Sequence, residues 1–417
     1  MFQLLDVLLT RIVQRGALLL TDAQGKAHRY GDGQGRTIAF RLADKSLERQ
    51  LVYDPQLAIG EAYMHGRLVM EEGRIYDLLA LLLANIGDRR LPGWTNAFVA
   101  ARYLVRRLSQ FNPSFRARRN AAHHYDINGA IYDLFLDRDR QYSCAYFAPG
   151  VSDLEEAQLA KKRHIAAKLA LEPGQRLLDI GSGWGGLGIY LAKVANCEVT
   201  GVTLSNEQLK ISRERALKEG LARCVRFEFK DYRKVEGRFE RIVSVGMFEH
   251  VGVNHYGTYF RKLHKLLTED GVALIHTIGR SEPPTVTNPF IAKYIFPGGY
   301  IPALSEVSAA VERSGLIISD LEILRLHYAE TLRAWRERFL ANWETAAAIL
   351  DQTFCRMWEF YLAASEAAFR FQNLVVFQLQ LERRLPILPI TRDYMREAEL
   401  RLHGHEVLKV EPRMAGE

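Results

Sequence analysis

A glycine-rich turn after an apolar segment is the part of the chain whose residue types most clearly indicate a ligand-binding site. Residues 177–186 read LLDIGSGWGG, a pattern typical of a buried strand that leads into a tight turn and then a helix. Gly181, Gly183 and Gly185 permit positive φ angles and keep side chains out of a ligand's path, and the following helix begins with unpaired N–H groups. The pattern predicts a nucleotide-type ligand, but it is shared by sites for NAD, FAD and S-adenosylmethionine.

The end of the next predicted strand helps to separate these ligands. A dinucleotide site usually has an acidic residue there, which binds the ribose hydroxyls. The predicted strand 198–204 (EVTGVTL) ends instead in Thr203 and Leu204, followed by Ser205. The sequence therefore favours a methyl donor over NAD.

The elements that must position this turn indicate an α/β fold. Predicted strands lie at 176–180, 198–204, 225–231, 239–246 and 271–279, and predicted helices lie near 153–170, 186–195, 206–219 and 256–267. This alternation is typical of a doubly wound, mostly parallel sheet. Beyond residue 279, closely spaced prolines predict an irregular segment that covers or walls a pocket. Helices around 328–370 and a strand at 375–381 are predicted to complete the fold.

The chain also predicts a second, smaller domain. Its 417 residues are too many for one compact core. The first 90 residues or so mix short alternating segments and glycine turns with one helical run at 75–86, which predicts a small α+β domain. We therefore expect an N-terminal domain at 1–100, a basic linker at 101–120 and a catalytic domain at 121–417.

Composition limits the class of protein and its compartment. With 48% hydrophobic and 25% charged residues, the chain has no apolar run of the ~18 residues that a membrane span needs. Charged residues interrupt the apolar N-terminal segment and no basic residue precedes it, so it does not resemble a signal peptide. The four cysteines lack the paired spacing of a metal site or a disulfide framework. We expect a cytoplasmic protein and predict no metal site.

A cluster of arginines carries part of the net charge of +7. Between residues 100 and 120 there are six arginines and no acidic residue: Arg102, Arg106, Arg107, Arg116, Arg118 and Arg119. One interpretation is a solvated linker. Another is a surface that attracts anionic lipid headgroups, at ~1 kcal/mol per basic residue. A nucleic-acid site is disfavoured, because no known nucleic-acid motif accompanies the arginines.

Further motifs follow one another in an order typical of one family. They are HYD at 124–126, QYSCAYF at 141–147, LLDIGSGWGG at 177–186, GVTLSNEQ at 201–208, VSVGMFEHVG at 243–252, HTIG at 276–279, YIFPGGYIP at 294–302 and HYAETLRAW at 327–335. With this series the chain resembles the cyclopropane-fatty-acyl-phospholipid synthase family over roughly residues 121–383. The resemblance implies a class I methyltransferase, Rossmann-like domain and an N-terminal lipid-binding domain.

The resemblance also implies a reaction and its catalytic residues. The family transfers a methylene group from S-adenosylmethionine to the cis double bond of an unsaturated phospholipid acyl chain. After methyl transfer a carbocation remains, and ring closure needs a base, a role ascribed in the family to bound bicarbonate. The positions implied to hold it are the side chains of Cys144, Glu249, His276 and Tyr328 and the backbone of Ile278.

The donor contacts implied by the resemblance fall on four segments. Gly181, Gly183 and Gly185 would line the sulfonium and amino-acid moiety. Thr203, Leu204 and Gln208 would contact the ribose side, Tyr142 and Ser143 would approach from the preceding loop, and Asp231 and Tyr232 would form an adenine edge.

Each of these residues also has an ordinary structural explanation. A cysteine such as Cys144 is usually a small buried hydrophobe. Glu249 could be a helix-start acid favoured by the dipole, His276 a satisfied core histidine, and Tyr328 and Trp184 packing residues. The ordered motifs favour the functional interpretation of the four catalytic side chains.

A late segment and a late helix carry two further hypotheses. Aromatic and aliphatic residues of the segment could wall an acyl tunnel: Phe290, Tyr294, Ile295, Phe296, Tyr300 and Ile301. Many relatives have a second cysteine in the late helix where this chain has Ser365, and Cys355 does not align with it. A thiol nucleophile there is therefore not supported, which favours bicarbonate-assisted proton removal.

Alternative functions stay open at this point. A related enzyme could leave a methyl or methylene branch, and the sequence cannot separate that outcome from ring closure. A non-catalytic lipid-binding protein with a methyltransferase fold is disfavoured by the intact glycine turn. The expected partner is an anionic or zwitterionic phospholipid bilayer with unsaturated acyl chains, bound peripherally at the inner face of the cell membrane. A homodimer is a further hypothesis. No nucleic-acid partner is expected.

Overall fold

The computed structural model of the chain describes residues 2–87 and 129–410. Their residues form two compact units, and neither is one continuous stretch of sequence. The first unit combines the described N-terminal residues with Ser281–Tyr300 and Tyr328–Leu374, and the second contains the other described residues. The functional domain limits 1–100, 101–120 and 121–417 stay a prediction. The arginine cluster and the HYD motif lie outside the described residues.

The N-terminal part of the first unit is a small sheet with helices, as predicted. Its elements are α1 (Phe2–Ile12), β1 (Ala17–Thr21), β2 (Ala27–Tyr30), β3 (Thr37–Leu42), α2 (Lys45–Tyr53), α3 (Pro55–Met64), β4 (Leu68–Glu72) and α4 (Ile75–Ile86). The strand order is β2-β1-β3-β4, with β1 antiparallel to β2 and parallel to β3. Asp44 begins α2, because its carboxylate accepts hydrogen bonds from the amides of Ser46 and Leu47.

The remaining described chain alternates strands and helices. Its elements are α5 (Gly129–Asp133), α6 (Leu154–Lys168), β5 (Arg176–Ile180), α7 (Gly186–Ala195), β6 (Glu198–Thr203), α8 (Asn206–Lys218), β7 (Val225–Phe229), β8 (Phe239–Val245), α9 (Tyr256–Leu266), β9 (Leu267–Arg280), α10 (Leu304–Glu312), β10 (Ile317–Leu324), α11 (His327–Ala341), α12 (Trp343–Ile349), α13 (Gln352–Phe371), β11 (Leu374–Glu382) and α14 (Asp393–Val410). Short 3₁₀ turns occupy Tyr232–Lys234, Phe248–His250 and Val253–His255, and a π-helical turn occupies Ile291–Ile295.

The second unit is organised around a seven-stranded sheet of order β10-β11-β9-β8-β5-β6-β7. Strands β5 to β9 pair in parallel, while β10 and β11 are antiparallel to each other. Leu177, Leu178 and Ile180 of β5 are buried, as expected for a central strand covered on both faces. The predicted doubly wound, mostly parallel sheet is therefore confirmed.

The segment after residue 279 is more regular than expected. We predicted an irregular cover, but α10 and strand β10 lie within it. Strand β10 was missed because Asp320 and Glu322 interrupt its apolar residues. Helix α14 was missed as well, because the strand at 375–381 was expected to be the last helix or strand of the chain. In the described parts of the chain, no helix has the length and apolar character needed to cross a membrane.

Candidate active site

The glycine-rich turn lies between β5 and α7, at the carboxyl end of the central strand. Gly183 has φ +53°, and a Cβ atom built on it would meet nothing within 4 Å. Gly185 has φ +81°, and a Cβ there would lie 2.7 Å from Cζ of Phe227. Gly185 is thus required for packing, whereas Gly183 faces open space and is required only for its backbone conformation. Open space at a glycine turn is suited to a ligand. Gly181, the first glycine, has φ +84°.

The predicted ribose-side residues meet at the end of the neighbouring strand β6. The Thr203 hydroxyl donates to Oε1 of Gln208 at 2.9 Å, and both side chains are buried. Ser205 begins α8 by accepting a hydrogen bond from the Gln208 amide at 3.3 Å. Leu204 lies between them and is half-buried. The carboxyl ends of β5 and β6 are adjacent, since the Gly181 amide donates to the Val202 carbonyl at 2.9 Å.

Asp231 and Tyr232 follow strand β7, beside the end of β6. The Asp231 carboxylate is buried and accepts two hydrogen bonds from the Arg233 guanidinium, at 2.8 and 2.6 Å. It also accepts from the Arg233 amide and so begins the 3₁₀ turn that contains Tyr232. Both oxygens of Asp231 are therefore bound within the chain. Its assignment to the adenine edge stays a prediction.

Two side chains of helix α6 hold the loop that carries Tyr142, Ser143 and Cys144. Nε2 of Gln158 donates to the carbonyl of Gln141 at 3.1 Å and to that of Ser143 at 3.0 Å. Nζ of Lys161 donates to Oε1 of Gln141 at 2.7 Å and to the Ser143 hydroxyl at 2.8 Å. Lys161 is fully buried, and burial lowers its pKa to about 8.

Sequence reasoning missed Gln158 and Lys161, although both lie on a predicted helix. Their spacing of three residues places them on one face of α6. Tyr142 packs edge-on against Tyr132 at a centroid distance of 5.5 Å, and Tyr132 in turn packs against Trp184 at 5.0 Å. Trp184 is buried, which is consistent with a packing residue.

Glu249 and Ile278 are in direct contact at the carboxyl ends of β8 and β9. The Ile278 amide donates to Oε1 of Glu249 at 2.7 Å. Oε2 of Glu249 is buried and has no hydrogen-bond partner among the described residues. Burial raises the pKa of Glu249 to about 7, although the Ile278 amide and the Thr277 hydroxyl act in the opposite direction. The carboxyl group can therefore carry a proton near neutral pH.

His276 lies on β9, two residues before Ile278. Val245, at the end of β8, is its partner across the parallel pair, so the 3₁₀ turn with Glu249 follows at the same edge of the sheet. The ring is buried, and Nδ1 lies 3.0 Å from Nε2 of Gln378. Burial, together with nearby cationic lysines, holds the pKa of His276 well below its usual range. The histidine is therefore neutral at physiological pH.

The other two candidate catalytic side chains are also buried. Sγ of Cys144 lies 3.3 Å from the carbonyl oxygen of Ala145. Tyr328 belongs to the first unit, where its ring packs against Trp335 at 5.8 Å and Phe369 at 4.9 Å. Contacts within the second unit thus bring Glu249, His276 and Ile278 together, while Tyr328 is described only in its own unit.

Most of the residues assigned to an acyl tunnel belong to the first unit. Phe290 is fully buried. Its ring packs edge-on against Phe360 at a centroid distance of 4.7 Å and lies tilted against Tyr294 at 5.0 Å. The Tyr294 hydroxyl donates to Glu61 of α3 at 2.8 Å. Ile295, Phe296 and Tyr300 lie in the same unit, and Ile301 lies in the second. Ser365 is half-buried on α13.

Known proteins are similar to this chain over most of its length. A family model described as mycolic acid cyclopropane synthetase matches residues 113–379. The cyclopropane-fatty-acyl-phospholipid synthase of Escherichia coli K12 is 37% identical over 344 residues, which are 82% of this chain and 87% of that protein. The tuberculostearic acid methyltransferase of Mycobacterium tuberculosis H37Rv is 34% identical over 399 residues, 91% of each chain.

A solved structure extends the similarity to three dimensions. The mycolic acid cyclopropane synthase crystallised with SAH and CTAB has a TM-score of 0.61 and 32% identity, and covers 65% of this chain and 99% of that one. The fold and the site define a class I S-adenosylmethionine-dependent methyltransferase. Within that class, the chain belongs to the family of cyclopropane-fatty-acyl-phospholipid and mycolic acid cyclopropane synthases.

Proposed function

We propose that this enzyme transfers a methylene group from S-adenosylmethionine to the cis double bond of an unsaturated phospholipid acyl chain and closes a cyclopropane ring. The Glu249 carboxyl group carries the proposal. One of its oxygens is fixed by the Ile278 amide, and the other is buried, with no hydrogen-bond partner in the described part of the chain, at the sheet edge where α/β ligands bind. The similarity to the E. coli synthase supports the same reaction.

In this proposal the donor lies over the glycine-rich turn. Gly183 leaves room for it and the adjacent start of α7 offers backbone N–H groups. Thr203 and Gln208 approach its ribose, while Tyr142 and Ser143 contact it from the loop held by α6. Positioning supplies much of the acceleration, because an alkene is a weak nucleophile and must be aligned with the sulfonium.

The buried cluster around Glu249 fits a bound bicarbonate. A bicarbonate there would supply the base that ring closure requires. With a pKa of about 7, Glu249 can be protonated and donate a hydrogen bond from Oε2 to an anion while Oε1 accepts from Ile278. Neutral His276 offers a ring N–H donor without the mobile proton of an imidazolium. Cys144 would complete the ligand set within the second unit, and the role of Tyr328 stays a prediction from the resemblance.

The proposal of a lipid partner depends on residues other than the cluster around Glu249. The arginines between residues 100 and 120 would attract an anionic or zwitterionic bilayer, and the enzyme would act from the cytoplasmic face as a peripheral protein. The buried aromatic residues near Phe290 would contribute to an acyl tunnel. We keep the homodimer as a hypothesis.

A second candidate product is a methyl or methylene branch instead of a ring. The similarity to the tuberculostearic acid methyltransferase favours keeping it. The products differ in the fate of the cation. Loss of a proton from the new methyl group with closure of a C–C bond gives the ring, and a hydride shift along the chain before that proton is lost gives a methylene branch. A saturated methyl branch additionally needs a hydride from an external reductant.

The experiment combines purified enzyme, S-adenosylmethionine and vesicles of a cis-unsaturated phospholipid. We expect each modified acyl chain to gain one CH₂ and to show cyclopropane protons by NMR. Depleting bicarbonate should slow this reaction and adding it back should restore the rate. A gain of CH₂ with vinyl protons or, in a parallel reaction supplied with a reduced nicotinamide as hydride donor, of CH₂ with two further hydrogens would replace ring closure by branch formation. A rate that ignores bicarbonate would remove it from the proposal.

A further inference from the structure

Gln378 of β11 connects His276 to a buried lysine. Its Nε2 lies 3.0 Å from Nδ1 of His276, and its Oε1 accepts a hydrogen bond from Nζ of Lys168 at 2.7 Å. The exposed fraction is 2% for His276 and 0% for Gln378 and Lys168, so water does not compete for these contacts. The proposed reaction has so far given Gln378 no role.

The hydrogen bonds from Lys168 through Gln378 to His276 allow only one arrangement of donors and acceptors. A lysine ammonium has hydrogens to donate and no lone pair. The oxygen of the Gln378 amide must therefore face Lys168, because the opposite orientation would place two donors against each other. That orientation turns the amide NH₂ toward His276. Nδ1 of His276 must then accept, and an accepting ring nitrogen carries no proton.

Glu322, the second hydrogen-bond partner of Lys168, stabilises the positive charge of this lysine. Nζ of Lys168 also donates to Glu322 of β10, which contacts Nε2 of His164 at 2.7 Å as well. Burial acts to raise the pKa of Glu322, but His164 and Lys168 outweigh it and bring the pKa below its ordinary value. Glu322 is thus a carboxylate. Burial lowers the pKa of Lys168, and direct contact with the Glu322 carboxylate opposes that shift and stabilises the ammonium form.

We infer that Gln378 is a positioning residue that fixes His276 as the neutral tautomer with its proton on Nε2. The ring then has an N–H donor at Nε2, where the other tautomer would have a lone pair. A donor is attracted to an anion, whereas a lone pair would repel it. The inference rests on the proposed function only in this last step, the binding of an anion by His276.

The tautomer can be measured without any activity. In enzyme labelled with ¹⁵N-histidine, protonated and unprotonated ring nitrogens have well-separated ¹⁵N chemical shifts, and the His276 signals are those missing from His276→Gln. We expect an unprotonated Nδ1 and a protonated Nε2. A protonated Nδ1 in the parent enzyme would overturn the inference, whatever the reaction catalysed.

A charge substitution tests the role of Gln378 itself. In Gln378→Glu both side-chain oxygens accept, so Nδ1 should gain a proton and its shift should move to the protonated range. Gln380→Glu is the matched control, because Gln380 is equally buried two residues along β11 but contacts the Lys168 carbonyl and Tyr394 instead. Its His276 shifts should stay those of the parent. An unchanged Nδ1 in Gln378→Glu would contradict the inference.

Kinetics then separate this inference from the proposed function. We expect Gln378→Glu to lose roughly 10²-fold in kcat relative to Gln380→Glu, with the KM for the donor little changed. If Gln378→Glu does not fold, Gln378→Met should give a mixture of both tautomers. If Gln378→Glu has the changed tautomer but the kcat of the control, the proton assignment stands. The role of His276 as a hydrogen-bond donor to an anion would then be refuted.

Discussion

Replacing Glu249 by glutamine should weaken catalysis and, at alkaline pH, strengthen the fold. Glutamine keeps the size of the side chain and the oxygen that accepts from Ile278, but it cannot ionise. The rise in the pKa of Glu249 from 4.5 to about 7 means that ionising this buried group costs roughly 3 kcal/mol, at about 1.4 kcal/mol per pKa unit.

The pH dependence follows from the sign of that shift. Because the pKa is raised in the folded protein, folding favours the protonated carboxyl group. The contribution of Glu249 to the free energy of unfolding is therefore highest below about pH 4.5, decreases as pH rises, and is lost above about pH 7. Glu249→Gln should have nearly the parent's stability at pH 4.5 and exceed it by up to ~3 kcal/mol at pH 8.5.

Urea unfolding of both proteins at these two pH values measures the effect. Glu366→Gln is the contrasting control, because Glu366 is also buried but is paired with Arg336 at 2.9 Å and Arg370 at 3.1 Å. It should be destabilised at both pH values, since its arginines lose their partner. In the lipid assay Glu249→Gln should lose ~10²-fold in turnover with donor binding little changed. A Glu249→Gln enzyme that is no more stable at pH 8.5, or that turns over at the parent rate, would refute the assignment.

Three further predictions concern the donor, the loop and the membrane. Gly183→Val should abolish S-adenosylmethionine binding in a folded protein, because valine is strained at φ +53° and fills the open space at the turn; unchanged affinity by calorimetry would contradict this placement. Lys161→Met should speed hydrogen exchange of residues 141–144 and weaken donor binding about tenfold, the loss expected for about one net hydrogen bond; unchanged exchange would show that the loop does not depend on the lysine. Replacing the six arginines between residues 100 and 120 by glutamine should weaken binding to anionic vesicles and flatten its salt dependence; equal binding at low salt would make that segment a simple linker.

The central sheet was predictable because its signals are local. Strand β5 has the predicted limits 176–180 and helix α7 the predicted limits 186–195, since an apolar run, a glycine turn and a helical pattern follow directly in sequence. The family resemblance implied that Glu249 and the Ile278 backbone belong to one site. The direct hydrogen bond between them was not predicted, and their role in binding an anion stays a prediction.

The buried polar network around Lys161 and Lys168 could not be predicted, because it depends on contacts between residues far apart in sequence. Lys161 and Lys168 lie on a helix rich in charge, where a lysine usually faces solvent. Only the packing of α6 against residues more than 150 positions away makes Lys168 a buried partner of Glu322. Strand β10 escaped prediction through the same Glu322, whose charge looks unsuited to a strand until its partners are known.

The interleaving of the two units has a consequence for how the chain is made. Helix α3 packs against α13 through Tyr63, which donates to Glu359, and through the Met64 carbonyl, which accepts from Arg356. These partners leave the ribosome almost 300 residues later. The N-terminal residues must therefore wait, with part of α3 uncovered, until most of the chain has been synthesised. A fragment that ends near residue 87 should for this reason aggregate or be degraded, and an early stop codon should yield no usable N-terminal unit.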